Sequence, residues 1–298
     1  MDADWDDLRI FLAVARGESL SSAGKVLKRD PATVGRRVAR LEEAAGRRLF
    51  TKSPQGYVLT EAGVSLLAHA EQAEQSIRHG LEQMNEGPEG LSGQVRIGAT
   101  DGCASYVLPQ VCTEITRQHP NLELQIVALP RVINLSKREA DLAITVSPPK
   151  AGRLRVQKIT DYHLHLGAAR DYLQSHTPIR SKTDLKAHPV VGYVQDMITF
   201  SELDFMSELD LERTTLASNL VSVQLGCLRH NGGVGIVHDF ILPSAPDIER
   251  VLADDVSFTR SFYLLRHADD ARVERLEHVS QALIRGIRAE IARLEALT

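Results

Sequence analysis

Thr33, Arg36, Arg37 and Arg40 recur at i, i+3, i+4 and i+7 and so share one stripe of a helix. Three guanidinium groups and a hydroxyl so arranged are equipped to donate to guanine edges and to phosphate oxygens. Val34, Val38 and Leu41 keep the same spacing about 100° further round, which sets a packing face beside the basic one. On charge alone, a solvated helix face accounts for the arginines equally well. The start of the helix is clearly signalled. Asp30 can accept from the orphan amide N–H groups, and Pro31 is tolerated best at the first helical position.

Charge is distributed unevenly around that helix. Between Lys25 and Lys52 nine Lys or Arg stand against Asp30, Glu42 and Glu43, so this segment carries +6 in a chain of net charge −4. Everything else carries −10, the polarity expected when one small module meets phosphate and the remainder does different work. At 298 residues, 43% hydrophobic and 25% charged, the chain has material for about two globular domains with cores of their own. Cys103, Cys112 and Cys227 form no CxxC pair, which argues against a disulfide framework and for a reducing, cytoplasmic setting. The acidic opening Asp2, Asp4, Asp6, Asp7 and the lack of a long apolar run predict neither export nor a membrane partner. No cofactor or metal site is expected. His163 and His165 alternate along one strand without a third ligand nearby in sequence, so they are read as structural.

The elements that position the basic stripe follow from periodicity. Leu8, Phe11, Leu12, Val14 and Ala15 define a first helix that stops at Gly17, and Ser19 caps a short second helix ending near Leu27. A three-residue polar turn then leads into the helix at Pro31. That is helix-turn-helix geometry, in which the second helix of the pair enters the major groove. Residues Arg47 to Leu59 read as two short strands about the turn Ser53-Pro54-Gln55-Gly56, a wing in which Lys52 reaches the backbone or minor groove. From Thr60 a long helix runs with Leu66, Ala70, Ala73, Ile77, Leu81 and Met84 close to a coiled-coil seam, read as a pairing face for a second chain.

Gly87-Pro88-Glu89-Gly90 ends that helix, and the pattern changes to alternating strands and helices, which predicts a largely parallel sheet. Strands are expected at Val95 to Ala99, Leu122 to Val127, Leu142 to Val146, His163 to Gly167, Val190 to Val194 and Val234 to Val237. Helices are expected at Tyr106 to Gln118, Val221 to Arg229 and Glu274 to Leu297. The sequence contains no GxSxG, P-loop, HExxH or GxGxxG following a strand, so nothing points to an enzyme.

In its order of parts and in local strings the chain resembles the LysR-type transcriptional regulators over essentially its full length. The strings are Ser19-Leu20-Ser21-Ser22-Ala23, Ala32-Thr33-Val34, Arg36-Arg37-Val38, Leu49-Phe50 and Leu59-Thr60-Glu61-Ala62-Gly63, with Ala140-Asp141-Leu142-Ala143-Ile144 and Gly233-Val234-Gly235-Ile236 further on. The resemblance implies an α+β multidomain fold: an N-terminal winged helix-turn-helix (1–60), a long linker helix (61–88) and a C-terminal two-lobed α/β, periplasmic-binding-protein-like effector domain (93–298). Lobe I would comprise 93–161 and 266–298, and lobe II 162–265. It implies a sequence-specific regulator on double-stranded promoter DNA at a pseudo-palindromic site, a homodimer through the linker helix, and a dimer of dimers. The expected DNA-binding set is Ser21, Ser22, Ala32, Thr33, Arg36, Arg37, Arg40 and Lys52. Gly35 stands where the family usually has serine, Gly24 where alanine is common, and Val237-His238-Asp239 replaces the usual Leu-Pro.

The resemblance also implies a small-molecule effector, of unspecified identity, between the lobes. Its expected contacts are Thr100, Asp101, Gly102 and Cys103 after the first sheet strand, Pro130 and Arg131 after the second, and Asp196, Met197, Ser201 and Ser218, with Asn219, from the facing lobe. Asp101 either caps its own helix or excludes a simple anion, and Arg131 is either a counter-ion for an acidic ligand or a surface residue. Two alternatives keep the same fold. One is a ligand-independent regulator with a vestigial cleft, and the other is a redox-responsive one in which the Cys103 thiol, at a helix N-terminus, is acidified. A stand-alone solute-binding protein would need an export signal.

Overall fold

Asp4 Oδ1 accepts from the Asp6 backbone N–H at 3.0 Å and opens helix α1 (Trp5–Gly17). In the computed structural model, residues 4–53, 56–85, 91–128, 135, 139–149, 153–198, 200–268, 270 and 273–298 are described, excepting the side chains of 72, 75, 76 and 78–85. The chain divides into two units, Met1–Glu89 and Gly90–Thr298.

In the first unit, Ser19 caps α2 (Leu20–Leu27), and Asp30 Oδ1 caps α3 (Pro31–Ala45) by accepting from Ala32 N at 2.8 Å and Thr33 N at 3.3 Å. Gly46 ends α3 with φ +63°, a left-handed turn that suits a residue without Cβ. Strands β1 (Phe50–Ser53) and β2 (Gly56–Leu59) pair antiparallel with Phe50 opposite Leu59. The wing is fastened to the end of α1, because Tyr57 N donates to the Glu18 carbonyl at 2.8 Å. A Cβ on Gly56 would lie 2.3 Å from that carbonyl oxygen, so only glycine fits there.

Phe11, Val14, Val34, Val38, Leu41 and Leu49 are buried in one core, which confirms the packing face read on α3. Helix α4 (Glu61–Asn85) contributes Ala70, and Leu66 packs against the same core. The first part of the expected seam is therefore satisfied within the chain, while Ile77 is exposed. The side chains of Leu81 and Met84 lie outside the described set.

In the second unit β3 (Gly93–Ala99) is followed by α5 (Asp101–Tyr106), α6 (Leu108–Gln118), β4 (Leu122–Ala128) and β5 (Leu142–Thr145). Then come β6 (Leu154–Ala169), α7 (Arg170–Ser175), β7 (Val190–Gly192), α8 (Phe205–Glu208), β8 (Leu216–Ala217) and α9 (Val221–Arg229). Strands β9 (Val234–His238), β10 (Ile248–Val251) and β11 (Ser257–His267) precede the closing helix α10 (Glu274–Glu295). The strands form one nine-stranded sheet in the order β4-β3-β5-β11-β6-β9-β7-β8, with β10 on β6.

This sheet is mixed, contrary to the largely parallel one expected. Strands β4, β3 and β5 pair parallel, as do β9, β7 and β8, and each group heads one α/β lobe. Between them β6 and β11 form an antiparallel ribbon that belongs to both lobes, with a register shift at Phe262/Tyr263. The expected strand at His163 to Gly167 is the latter half of the 16-residue β6, and the lobe boundary expected at 161/162 falls inside it. The expected helix at Tyr106 to Gln118 is α6, which begins at Leu108, and it is preceded by a separate short helix, α5, that ends at Tyr106. A continuous core joins the lobes, running through Ile97, Leu142, Tyr162, Leu166, Val234 and Leu283.

Candidate functional site

The basic stripe of α3 divides into two parts. Arg36 is exposed and donates to Thr33 Oγ1 at 3.0 Å, next to exposed Ala32. Arg37 and Arg40 instead fold onto the acidic start of α1. Arg37 donates to Asp7 Oδ1 at 2.7 Å, Asp6 Oδ2 at 3.0 Å and Asp4 Oδ2 at 3.2 Å. Arg40 donates to Asp7 Oδ2 at 2.6 Å and Asp4 Oδ2 at 2.8 Å. The backbone N–H of Asp6 and these arginines hold the Asp4 carboxyl below its ordinary range, and the Asp7 carboxylate raises both guanidinium groups. Arg37 thus ties α3 to α1, while Arg40, still half exposed at 52%, keeps one side to solvent. Ser21 is exposed at the start of α2, Ser22 is half-buried, and Lys52 is exposed on the wing with its Nζ 5.9 Å from the Tyr57 ring centre.

Sequence reasoning missed the residue that holds the wing to α3. Glu42, buried, accepts from Leu49 N at 2.8 Å and Phe50 N at 3.1 Å through Oε1, and from Arg48 at 3.0 Å through Oε2. A lone carboxylate seven and eight residues before two backbone N–H groups leaves no periodic signal.

In the second unit a chamber of about 630 Å³, part of it open to solvent, lies between the N-terminal ends of α5 and α9. Of the residues named from the sequence, Thr100, Asp101, Gly102 and Cys103 line it from one lobe and Met197 and Asn219 from the other, where Val221 joins them. Pro130 and Arg131 lie outside the described residues. Asp196, Ser201 and Ser218 are placed elsewhere. Asp196 is exposed in a short turn, Ser201 Oγ donates to Glu202, and Ser218 Oγ accepts from Leu220 N.

Asp101 does not cap its own helix. Thr100 occupies that position without a side-chain bond, and Asp101 Oδ2 accepts from Ser222 N at 2.8 Å, in the first turn of α9. Its other oxygen accepts from Ser105 Oγ at 3.2 Å. The chain's own carboxylate therefore occupies the electropositive end of α9. Cys103 also departs from expectation. Its thiol is fully buried, and desolvation pushes it up, not down, while Cys112 is pushed up to about 12 by the same cause. All three cysteines are free thiols, and the acidified Cys103 of the redox alternative is not what the structure shows.

The floor of the chamber was only partly visible in the sequence. Tyr162, Phe262, Tyr193 and Phe200 line it with His238, the residue that stands where the family pattern has Leu-Pro. Tyr162 stacks on Phe262 at 4.3 Å and on His238 at 5.6 Å between ring centres. Burial drives the His238 imidazole down to about 3, so it is neutral, and raises Tyr162 well above the ordinary phenol range. Neither Tyr162 Oη nor His238 Nδ1 has a hydrogen-bond partner among the described residues. His163 and His165 each meet a carboxylate through Nδ1, Glu295 at 2.9 Å and Asp239 at 2.8 Å. No group of metal-ligating side chains occurs among the described residues. None of the described helices is long and apolar enough to cross a membrane.

A basic-faced helix-turn-helix with its wing, followed by two α/β lobes about a chamber, defines a DNA-binding regulator with a ligand-binding-type module. Residues 5–64 match the family described as bacterial regulatory helix-turn-helix protein, lysR family, and residues 88–288 match the LysR substrate binding domain. The chain belongs to the LysR family of transcriptional regulators, and it is not an enzyme. Among its relatives is the HTH-type transcriptional regulator CrgA of Neisseria meningitidis serogroup C (strain 8013), 25% identical over 206 residues, which cover 68% of this chain and 69% of CrgA. A solved structure of CrgA from Neisseria meningitidis superposes with TM-score 0.59 at 21% identity, over 95% of this chain and 98% of that one. Full-length LysG from Corynebacterium glutamicum with bound effector Arg superposes with TM-score 0.65 at 17% identity, over 96% and 98%.

Proposed function

We propose that the protein is a sequence-specific transcriptional regulator in which a small molecule, held between the two lobes, controls how the winged helix-turn-helix engages promoter DNA. The chamber carries this reading: Thr100 to Cys103 line it from one lobe and Asn219 and Val221 from the other, so one occupant touches both and biases their separation. The similar fold of LysG, solved with an effector bound, supports the same assignment. On the DNA side α3 enters the major groove, with Ala32, Thr33 and Arg36 toward the bases. Ser21, Ser22, Arg40 and Lys52 lie toward the backbone, and Arg37 positions the helix. A homodimer through α4 on a pseudo-palindromic site follows from the two-fold logic of helix-turn-helix binding, and dimers pair further on longer sites.

Two measurements test the two halves. In gel-shift titrations on the promoter region beside its own gene, Arg36→Ala lowers affinity and relaxes discrimination between sequences, while Lys52→Ala reduces the salt dependence by about one counterion. Unchanged affinity and discrimination in Arg36→Ala would remove α3 from the groove. Thermal-shift screening of the full chain against a broad metabolite library should raise the melting temperature for a narrow set of compounds. If none does so, the ligand-controlled half fails.

A further inference from the structure

The chamber's own chemistry restricts what can occupy it, an inference that rests on the effector assignment above. Burying a polar atom without a partner is unfavourable, and folded proteins retain few such atoms. Here two of them, Tyr162 Oη and His238 Nδ1, belong to adjacent stacked rings in the wall of one cavity. A phenol donates or accepts, and a neutral imidazole offers one donor and one acceptor, so the pair is suited to an oxygen that both donates and accepts.

Apart from Thr100, Asp101 and Asn219, the rest of the wall is apolar. The chain has only seven Phe, six Tyr and one Trp. Four of these rings, Tyr162, Tyr193, Phe200 and Phe262, face this one chamber. Offset and edge-to-face ring contacts favour an aromatic guest over an aliphatic one of equal size. At the mouth, the helix end that commonly receives a ligand's carboxylate or phosphate is already occupied by Asp101 through Ser222 N. Asp101 therefore opposes an anion twice, by filling the donor and by adding like charge. Arg260, on β11, is committed elsewhere: it bonds the Glu202 carbonyl and the Glu208 carboxylate and lies over the Phe205 and Phe258 rings.

We infer that the chamber binds an uncharged aromatic molecule bearing a hydroxyl or carbonyl oxygen, with its ring among Tyr193, Phe200 and Phe262 and its oxygen hydrogen-bonded to Tyr162 and His238. Tyr162 and His238 are then specificity-determining residues, and His238 explains the departure of this chain from its family's Leu-Pro. Burial alone holds His238 neutral, which fits a neutral guest.

Calorimetric titration of the full chain at neutral pH with three ring compounds of similar size tests this. Phenol is uncharged and carries the oxygen, toluene lacks it, and benzoate is an anion. Phenol should bind about tenfold or more tightly than toluene, a preference equal to about 1.4 kcal/mol, and tightest of the three. Tyr162→Phe should remove most of that preference while leaving toluene binding intact, which also shows that the variant is folded. His238→Phe should act the same way. Val221→Trp, which fills the chamber, should abolish binding of all three. Benzoate binding tightest, or a phenol preference that survives both ring substitutions, overturns the ligand class. If Val221→Trp still removes that binding, the effector site between the lobes stands without it. Absence of binding by all three overturns the inference, and the library screen then decides the effector assignment independently.

Discussion

Arg36 and Arg37 are neighbours in sequence with opposite duties, and the difference lies in residues some thirty positions earlier. Arg37 shares with Arg40 the task of matching Asp7, whose side chain is only 3% exposed, whereas Arg36 meets no carboxylate among the described residues. Removing one of the two partners of a buried charge leaves that charge only partly compensated. Arg37→Ala is therefore expected to lower the melting temperature of the DNA-binding unit, and Arg36→Ala to leave it unchanged, by circular dichroism on the two purified variants. Equal melting temperatures would mean that the acidic start of α1 contributes nothing to the seat of α3. Helical spacing places Thr33, Arg36, Arg37 and Arg40 on one stripe, and it does so correctly. It cannot show which of these guanidinium groups a distant acidic cluster will claim, because that depends on how α1 crosses α3.

At the scale of elements, local signals were sufficient wherever the cause was local. The Asp30-Pro31 start of α3, the wing strands and α9 are all where capping and periodicity put them. Strand β6 was legible only in part because its two halves meet different surroundings. Residues 154–158 are mostly exposed and 166–169 wholly buried, so the strand shows neither a clean alternation nor a continuous apolar run. Gly35, inside α3, is a local weakness with a local test. Alanine is better in a helix interior by up to about 1 kcal/mol. The added Cβ would come 3.2 Å from the end of the Leu20 side chain, which must give slightly. Gly35→Ala should stabilise the unit by less than about 1 kcal/mol in urea unfolding, at unchanged m-value. A loss of stability would show that the α2–α3 contact is too tight to accept a methyl group. Glu42 has the opposite expectation. Glu42→Leu leaves the Leu49 and Phe50 N–H groups without an acceptor, and losses of about 1–3 kcal/mol per buried group make it among the most damaging single changes in the wing.

For the whole molecule, the ribbon of β6 and β11 brings Tyr162, Phe262 and, through β9, His238 together from parts of the chain far apart in sequence. No window of sequence contains them, and so the expected lining stopped at the loops. Their enclosure couples the chamber to the stability of the effector domain through His238. In the folded state its imidazole is held down to about 3, against about 6.5 in an unfolded chain. Above pH 6.5 both states are neutral and the group has no effect. As pH falls below 6.5 the unfolded state binds a proton that the folded state refuses, so stability falls by up to about 1.4 kcal/mol per pH unit. His188, lowered by burial beside Tyr172, acts in the same direction. The depressed carboxyls Asp184, Asp247 and Glu277 lose stability only nearer their unfolded values around 4, which leaves pH 6.5 to 5 as a window for the histidines. Urea unfolding of the full chain across that window should be steeper in the native protein than in His238→Phe by about 1 kcal/mol per pH unit. Identical slopes would mean that the His238 ring takes up its proton while folded, and a ring that can charge in place is not sealed against the chamber wall.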